Sequence, residues 1–339
     1  MPRYIATLVL LSVLVSCSPY SVPSQLVLET STAPARDMQS ITATIMPTSP
    51  SDSFDYDAIA SLFDYDMQSP LVITENSVQQ EDGYTLHDIH YPSPKGGDVP
   101  AYLLVPDGTG PFAGILLMHG SSGSREYLLS FAKDLIPTGA VVLTISGPAA
   151  RTPNRDWIHF TAQDRDEQIQ LIIDLRRAVD LLAQHPGVDA SRIGYVGYSY
   201  GAAMGGLLAG VEPRVKAYGL MVGDGGLVSH FMEDGKPVGG FETVPAAMRE
   251  EWLKAMEPIE PIHFIGHASA SWLYFQNARY DSSVSEADAL AYQDAGSLPK
   301  RVQWYDSGHG LPAVAYVDMV NWLAERIGID DGKFKGPTQ

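Results

Sequence analysis

The 339-residue chain holds one cysteine, Cys17, and only 22 Lys and Arg against 40 Asp and Glu, for a formal charge of −18. A single cysteine excludes an intrachain disulfide, a thiolate zinc site and a catalytic thiol at any other position. The shortage of basic residues, none of them clustered, excludes nucleic acid as the expected partner, because phosphate binding needs concentrated positive charge. Long apolar runs are also missing, and the N-terminal stretch at residues 5–15 is too short to span a bilayer as a stable helix. With 45% hydrophobic and 18% charged residues, the chain is not of the disordered class. Its length suits one large α/β domain, or two small ones, with a sizeable core.

What is present begins with a weakly basic start at Met1 to Arg3, the apolar stretch, and then Ser16-Cys17-Ser18. This order fits a secretory leader. Leu14-Val15-Ser16-Cys17 resembles the bacterial lipobox, which implies cleavage and lipidation at Cys17 and an extracytoplasmic, membrane-anchored protein; an ordinary secreted leader over residues 1–17 is the alternative. In residues 18–53 half the positions are Ser, Thr or Pro, the composition of a tether. Residues 54–71 repeat Phe-Asp-Tyr-Asp, once from Phe54 and once from Phe63, and are expected to pack as an aromatic segment on the edge of a domain spanning 54–330. A calcium site there lacks the glycine turn and terminal glutamate of an EF-hand loop.

From about residue 72 short apolar strands alternate with helical patterns. Strands are expected at 84–91, 99–105, 113–118, 140–145, 192–198, 215–222, 271–275 and 301–305. Helices are expected at 124–136, 162–184, 202–209, 285–295 and 313–327. This alternation predicts an α/β fold with a mostly parallel central sheet flanked by helices and joined by right-handed crossovers. Residues 223–270 interrupt it as an insertion with one helix at 246–256. A connection that long usually carries function, here as a small cap over a site. A flexible tail is expected at 331–339.

Gly197-Tyr198-Ser199-Tyr200-Gly201 matches G-x-S-x-G between a strand and a helix rich in small residues, the context of a nucleophile elbow. Such a turn exposes the serine Oγ at the carboxyl edge of the sheet, and the helix N-terminus favours a developing anion. His119-Gly120-Ser121-Ser122-Gly123 follows the strand at 113–118 and supplies the place for an oxyanion hole, with the Ser121 N–H (or that of Ser122) acting beside the Tyr200 N–H. The His119 ring is read as structural. The triad acid should follow a later strand: Asp281 does so after 271–275, and Asp224, just after Leu220-Met221-Val222, is the alternative. Ser307-Gly308-His309-Gly310 then supplies the base, completing the order Ser199, Asp281, His309. His230, His263 and His267 lie in the insertion and are candidates to line a pocket. Arg151 and Arg155 are candidates to bind an anionic substrate group or to form salt bridges, and Tyr200 and Trp252 to make the acyl pocket aromatic.

At these residues, over about 82–327, the sequence resembles the α/β-hydrolase fold, and within it the dienelactone-hydrolase-like and acetyl-xylan-esterase-like branch. Dienelactone hydrolases proper use a cysteine nucleophile where this chain has serine, so that activity is not implied. Haloalkane dehalogenases, with aspartate at the elbow, are excluded likewise. The resemblance implies hydrolysis of a small-molecule carboxylic ester through an acyl-serine intermediate, with no metal or organic cofactor. A serine peptidase of prolyl-oligopeptidase type and a non-catalytic surface lipoprotein retaining the fold are the alternatives. The sequence leaves the oligomeric state open.

Overall fold

Alternating apolar runs and amphipathic segments build a nine-stranded sheet with helices on both faces. The computed structural model describes residues 54–152 and 156–337. The leader, Cys17, the tether and Arg155 therefore lie outside the described residues. A short helix α1 (Tyr56–Ala60) precedes three strands in antiparallel order, β1 (Thr74–Glu81), β2 (Tyr84–Pro92) and β3 (Asp98–Pro106). Then come β4 (Phe112–Met118), α2 (Leu129–Leu135), β5 (Ala140–Ile145), α3 (Ala162–Gln184), β6 (Val188–Tyr198), α4 (Tyr200–Val211) and β7 (Val215–Met221). The insertion holds α5 (Leu227–Phe231), the tiny hairpin β8 (Met232–Glu233) and β9 (Lys236–Pro237), and α6 (Ala246–Met256). Strand β10 (Trp272–Ala278), α7 (Glu286–Ala295), β11 (Lys300–Tyr305) and α8 (Ala313–Ile327) close the domain.

The strand order is β1-β2-β3-β5-β4-β6-β7-β10-β11, and every pairing from β5 to β11 is parallel. Strand alternation assigns the two faces. Ile115 and Leu117 of β4 pack with Leu135 of α2 and Leu323 of α8, while Leu116 and Met118 pack with Ile172 of α3 and Leu207 of α4. The chain crosses outward from β4 to β5 and returns on the other side to β6. The carboxyl ends of β4 and β6 thus form a switch point, where such sheets place their sites. Met118 pairs with Gly197 there, so the loop carrying Ser121 lies beside the elbow.

Most sequence-based elements stand where expected, with three differences. Strand β1 has no apolar face to betray it, since all eight of its residues are exposed and it pairs only with β2. The helix expected from residue 124 starts at Leu129, because Ser124 and Arg125 are engaged by Glu126 and Asp88 instead. Beyond residue 330, where a tail was expected, the chain makes a 3-10 turn and sets Phe334 edge-on to Phe131 at 6.3 Å. The Phe-Asp-Tyr-Asp segment packs as expected: Phe63 is buried against Phe264, Tyr56 stacks on His267 at 3.6 Å, and the Tyr65 hydroxyl donates to Asp180. Asp55 and Asp66 accept backbone N–H bonds within this segment.

Candidate active site

Ser199 follows β6 at the N-cap position of α4 with φ 55° and ψ −119°, a conformation that L-residues take only when the surroundings enforce it. Those surroundings are specific. A Cβ on Gly197 would collide with the Gly201 carbonyl, and one on Gly201 would lie 2.7 Å from the His119 carbonyl oxygen. The two glycines of the motif are therefore required by contact. The Ser199 N–H donates to the Met221 carbonyl at 2.8 Å, tying the elbow to the end of β7.

His309 comes from the loop after β11, and Asp281 from the loop after β10. Two backbone bonds join these loops, Arg279 N–H to the Tyr305 carbonyl at 2.9 Å and Tyr280 N–H to the Ser307 carbonyl at 3.0 Å. His309 Nδ1 lies 2.9 Å from both carboxylate oxygens of Asp281, and His309 Nε2 lies 2.9 Å from Ser199 Oγ. Burial pushes the Asp281 carboxyl up, but the His309 hydrogen bond and the amides of Ser283 and Val284 outweigh it and hold the group below its ordinary value. The structure thus brings Ser199, His309 and Asp281 together in one line. Asp224 is elsewhere engaged, 2.9 Å from His230 Nδ1 and accepting the Gly226 N–H.

A small cavity opens at the serine, lined by Ser121, Trp157, Ser199, Tyr200, Leu227, His230 and Val284 among others. Tyr200 occupies the first position of α4, where helix geometry leaves an amide without an intrahelical acceptor. Ser121 lines the cavity, whereas Ser122 is exposed outside it. The His119 ring is buried with Nδ1 2.6 Å from the Gly120 carbonyl and Nε2 accepting the Gly147 N–H at 3.0 Å. Burial pushes its pKa down to about 4, so it is a neutral strut for the loop.

Other expectations sort by place. Arg151 spans to the buried Asp174 at 2.6 Å, a structural ion pair. Trp252 does not line the cavity; it is fully buried, with Nε1 donating to Asp164, the residue that pairs with the N-cap Thr161 in the capping box of α3. That bond pins α6 of the insertion to the domain. The indole that lines the cavity is Trp157, stacked on Phe231 at 5.8 Å. Of the three insertion histidines only His230 reaches the cavity; His263 and His267 stack on Phe54 and Tyr56. Sequence reading also passed over Tyr198, whose hydroxyl donates to the His309 carbonyl at 2.6 Å and whose ring meets the imidazole edge-on. Neither Trp157 nor Tyr198 carries a pattern that marks it.

A family model described as FrsA-like esterase matches residues 72–240. A Bradyrhizobium sp. protein named as a probable 2-oxo-3-(5-oxofuran-2-ylidene)propanoate lactonase is 30% identical over 149 residues, covering 42% of this chain and 58% of that protein. Esterase FrsA of Escherichia coli O157:H7 is 27% identical over 145 residues, covering 42% of this chain and 33% of that one. The chain thus spans less than two thirds of the length of either relative. Among solved structures, an acetyl xylan esterase from Paenibacillus sp. R4 superposes with a TM-score of 0.68 at 18% identity, covering 83% of this chain and 96% of that one.

Proposed function

Because the chain has the α/β-hydrolase fold and matches the FrsA-like esterase model over residues 72–240, we propose that it hydrolyses carboxylic esters through an acyl-serine intermediate. The observation that carries this reading is the 2.9 Å approach of His309 Nε2 to Ser199 Oγ, with Asp281 behind the ring. His309 accepts the hydroxyl proton as Ser199 Oγ attacks the ester carbonyl, and Asp281 fixes the tautomer and stabilises the imidazolium. The amides of Ser121 and Tyr200 hold the oxyanion, each lowering the barrier by about 3 kcal/mol. Collapse of the tetrahedral intermediate expels the alcohol, which takes the proton from His309. Water then attacks the acyl-serine with His309 again as base, releasing the acid and restoring the hydroxyl. The walls made by Trp157, Leu227 and Val284 suit a short acyl group.

The test is turnover of short-chain aryl esters by the wild type and by Ser199→Ala, together with labelling of Ser199 by a fluorophosphonate. Loss of both turnover and labelling in the variant is expected. Labelling absent from the wild type would indicate a non-catalytic protein, and equal cleavage of matched amides would indicate a peptidase. We further propose that Cys17 is lipidated and anchors the enzyme outside the cytoplasm, supported by the leader pattern and the tether composition. Mass spectrometry of the mature N-terminus checks this: an acylated Cys17 is expected, and a free thiol there excludes it.

A further inference from the structure

The cavity at Ser199 is walled by a second imidazole. The chain leaves β7 through Val222 at φ 49°, strained for a β-branched residue, and Asp224 follows almost wholly buried. Its carboxylate holds His230 Nδ1 at 2.9 Å. His230 sits on α5, and the buried carboxylate of Glu260 receives the Val228 N–H at 3.0 Å, so the segment is anchored from beneath by a residue far along the chain. With Nδ1 occupied, the free edge of the imidazole is Nε2. His230 lines both the cavity at Ser199 and an adjoining open groove.

That groove selects the chemistry. Around His230 it presents Ser229, Ser282, Ser283 and Ser285 with Glu233 and Asp288, while the bordering Asp281 carboxylate is taken up by His309 and the amides of Ser283 and Val284, and among the described residues no Lys or Arg lines it. An anionic substituent would meet those carboxylates, and an alkyl one would strand the imidazole without a partner. A hydroxyl suits the ring in either protonation state, donating to the neutral Nε2 or accepting from the charged one. We propose that His230, positioned by Asp224, is a substrate-binding residue that recognises a hydroxyl group carried by the ester near its scissile bond. This deepens the reading of Ser199 as an esterase nucleophile and rests on it.

The hydroxyl can belong to the acyl or to the alcohol part, and two substrate pairs separate these: ethyl 3-hydroxybutyrate against ethyl butyrate, and glyceryl monobutyrate against propyl butyrate. In at least one pair the wild type should favour the hydroxylated member about tenfold in kcat/KM, the weight of one well-placed hydrogen bond. His230→Phe should bring that ratio to near one. His230→Gln, which carries an amide where Nε2 stood, should keep most of it, a rescue that a purely structural role for the ring would not give. The same pairs are then titrated calorimetrically into Ser199→Ala protein with and without His230→Phe, so that recognition is read even if the ester reading fails. Equal treatment of both members in both pairs, or a preference that survives His230→Phe, overturns the proposal.

Discussion

Two His–Asp pairs flank one serine, and they differ in what the far nitrogen meets. His309 and Asp281 come from loops bonded to each other at the ends of β10 and β11, and His309 Nε2 points at Ser199 Oγ. His230 and Asp224 share the same 2.9 Å contact, but both lie after β7, in the insertion, and the ring faces cavity and groove. The carboxylate partner is common to both pairs. In the proposed reading the atom across from Nε2 decides the role: facing a nucleophile the imidazole is a base, and facing an open cavity it is a binding group. On that reading the separation also follows the fold, since the reacting pair comes from loops after two sheet strands and the recognising pair from the insertion.

The contrast breaks most visibly in rates. His309→Ala should lower kcat on aryl esters by about 10⁴-fold or more, as expected when the base of such a triad is removed. Asp281→Asn should follow at about 10³- to 10⁴-fold, through the wrong tautomer of His309. Asp224→Asn should act instead on the ratio between hydroxylated and plain esters, with a change of about tenfold. Steady-state kinetics on the three variants decides the matter. A loss of kcat in Asp224→Asn as deep as that in Asp281→Asn would erase the distinction drawn between the two carboxylates.

A third histidine sharpens the comparison through stability. His119 belongs to the loop that carries Ser121 yet is buried, and burial pushes its pKa down to about 4 against 6.5 in the unfolded chain. The unfolded protein therefore binds a proton between those values that the folded protein refuses, so stability falls as the pH drops from about 6.5 to 4. The shift corresponds to about 3 kcal/mol across that window. Denaturant unfolding of the wild type and of His119→Gln, which cannot titrate, should show the wild type losing about that much more on acidification. A difference independent of pH would mean that His119 is not the neutral strut described.

How much of this could be read from the sequence depends on whether a residue's role is local. The elbow was legible because Gly197, Ser199 and Gly201 are fixed by contacts within one turn, and Ser199, Asp281 and His309 follow in chain order through strands with clear apolar patterns. The choice between Asp281 and Asp224 was not legible: both follow a strand, and only the bonds between the Asp281 and His309 loops decide which carboxylate meets the imidazole. Trp252 and Trp157 show the same limit. Each is a lone indole, and the Nε1 bond to Asp164 that holds Trp252 joins residues 88 positions apart. Strand β1 escaped because a strand exposed along its whole length has no period to find.

The smallest expected effect is a titration shift, and it tests whether Asp224 governs His230 directly. The Asp224 hydrogen bond raises the His230 pKa, burial opposes it, and the charges of Asp224, Asp288 and Asp281 add to the rise. The folded value thus lies above the unfolded one, so this pair stabilises the fold fully below about pH 6.5 and ceases to do so as the pH rises through the folded pKa. Asp224→Asn replaces the charged acceptor with a neutral one while burial remains, so the ring should titrate at a lower pH than in the wild type, and the stability gap between the two proteins should close in alkali. NMR titration of the His230 ring, assigned with His230→Gln, measures the first, and unfolding at pH 6 and pH 9 the second. An unchanged titration in Asp224→Asn would leave His230 as an isolated ring at the cavity wall, and the parallel with His309 would then be one of distance alone.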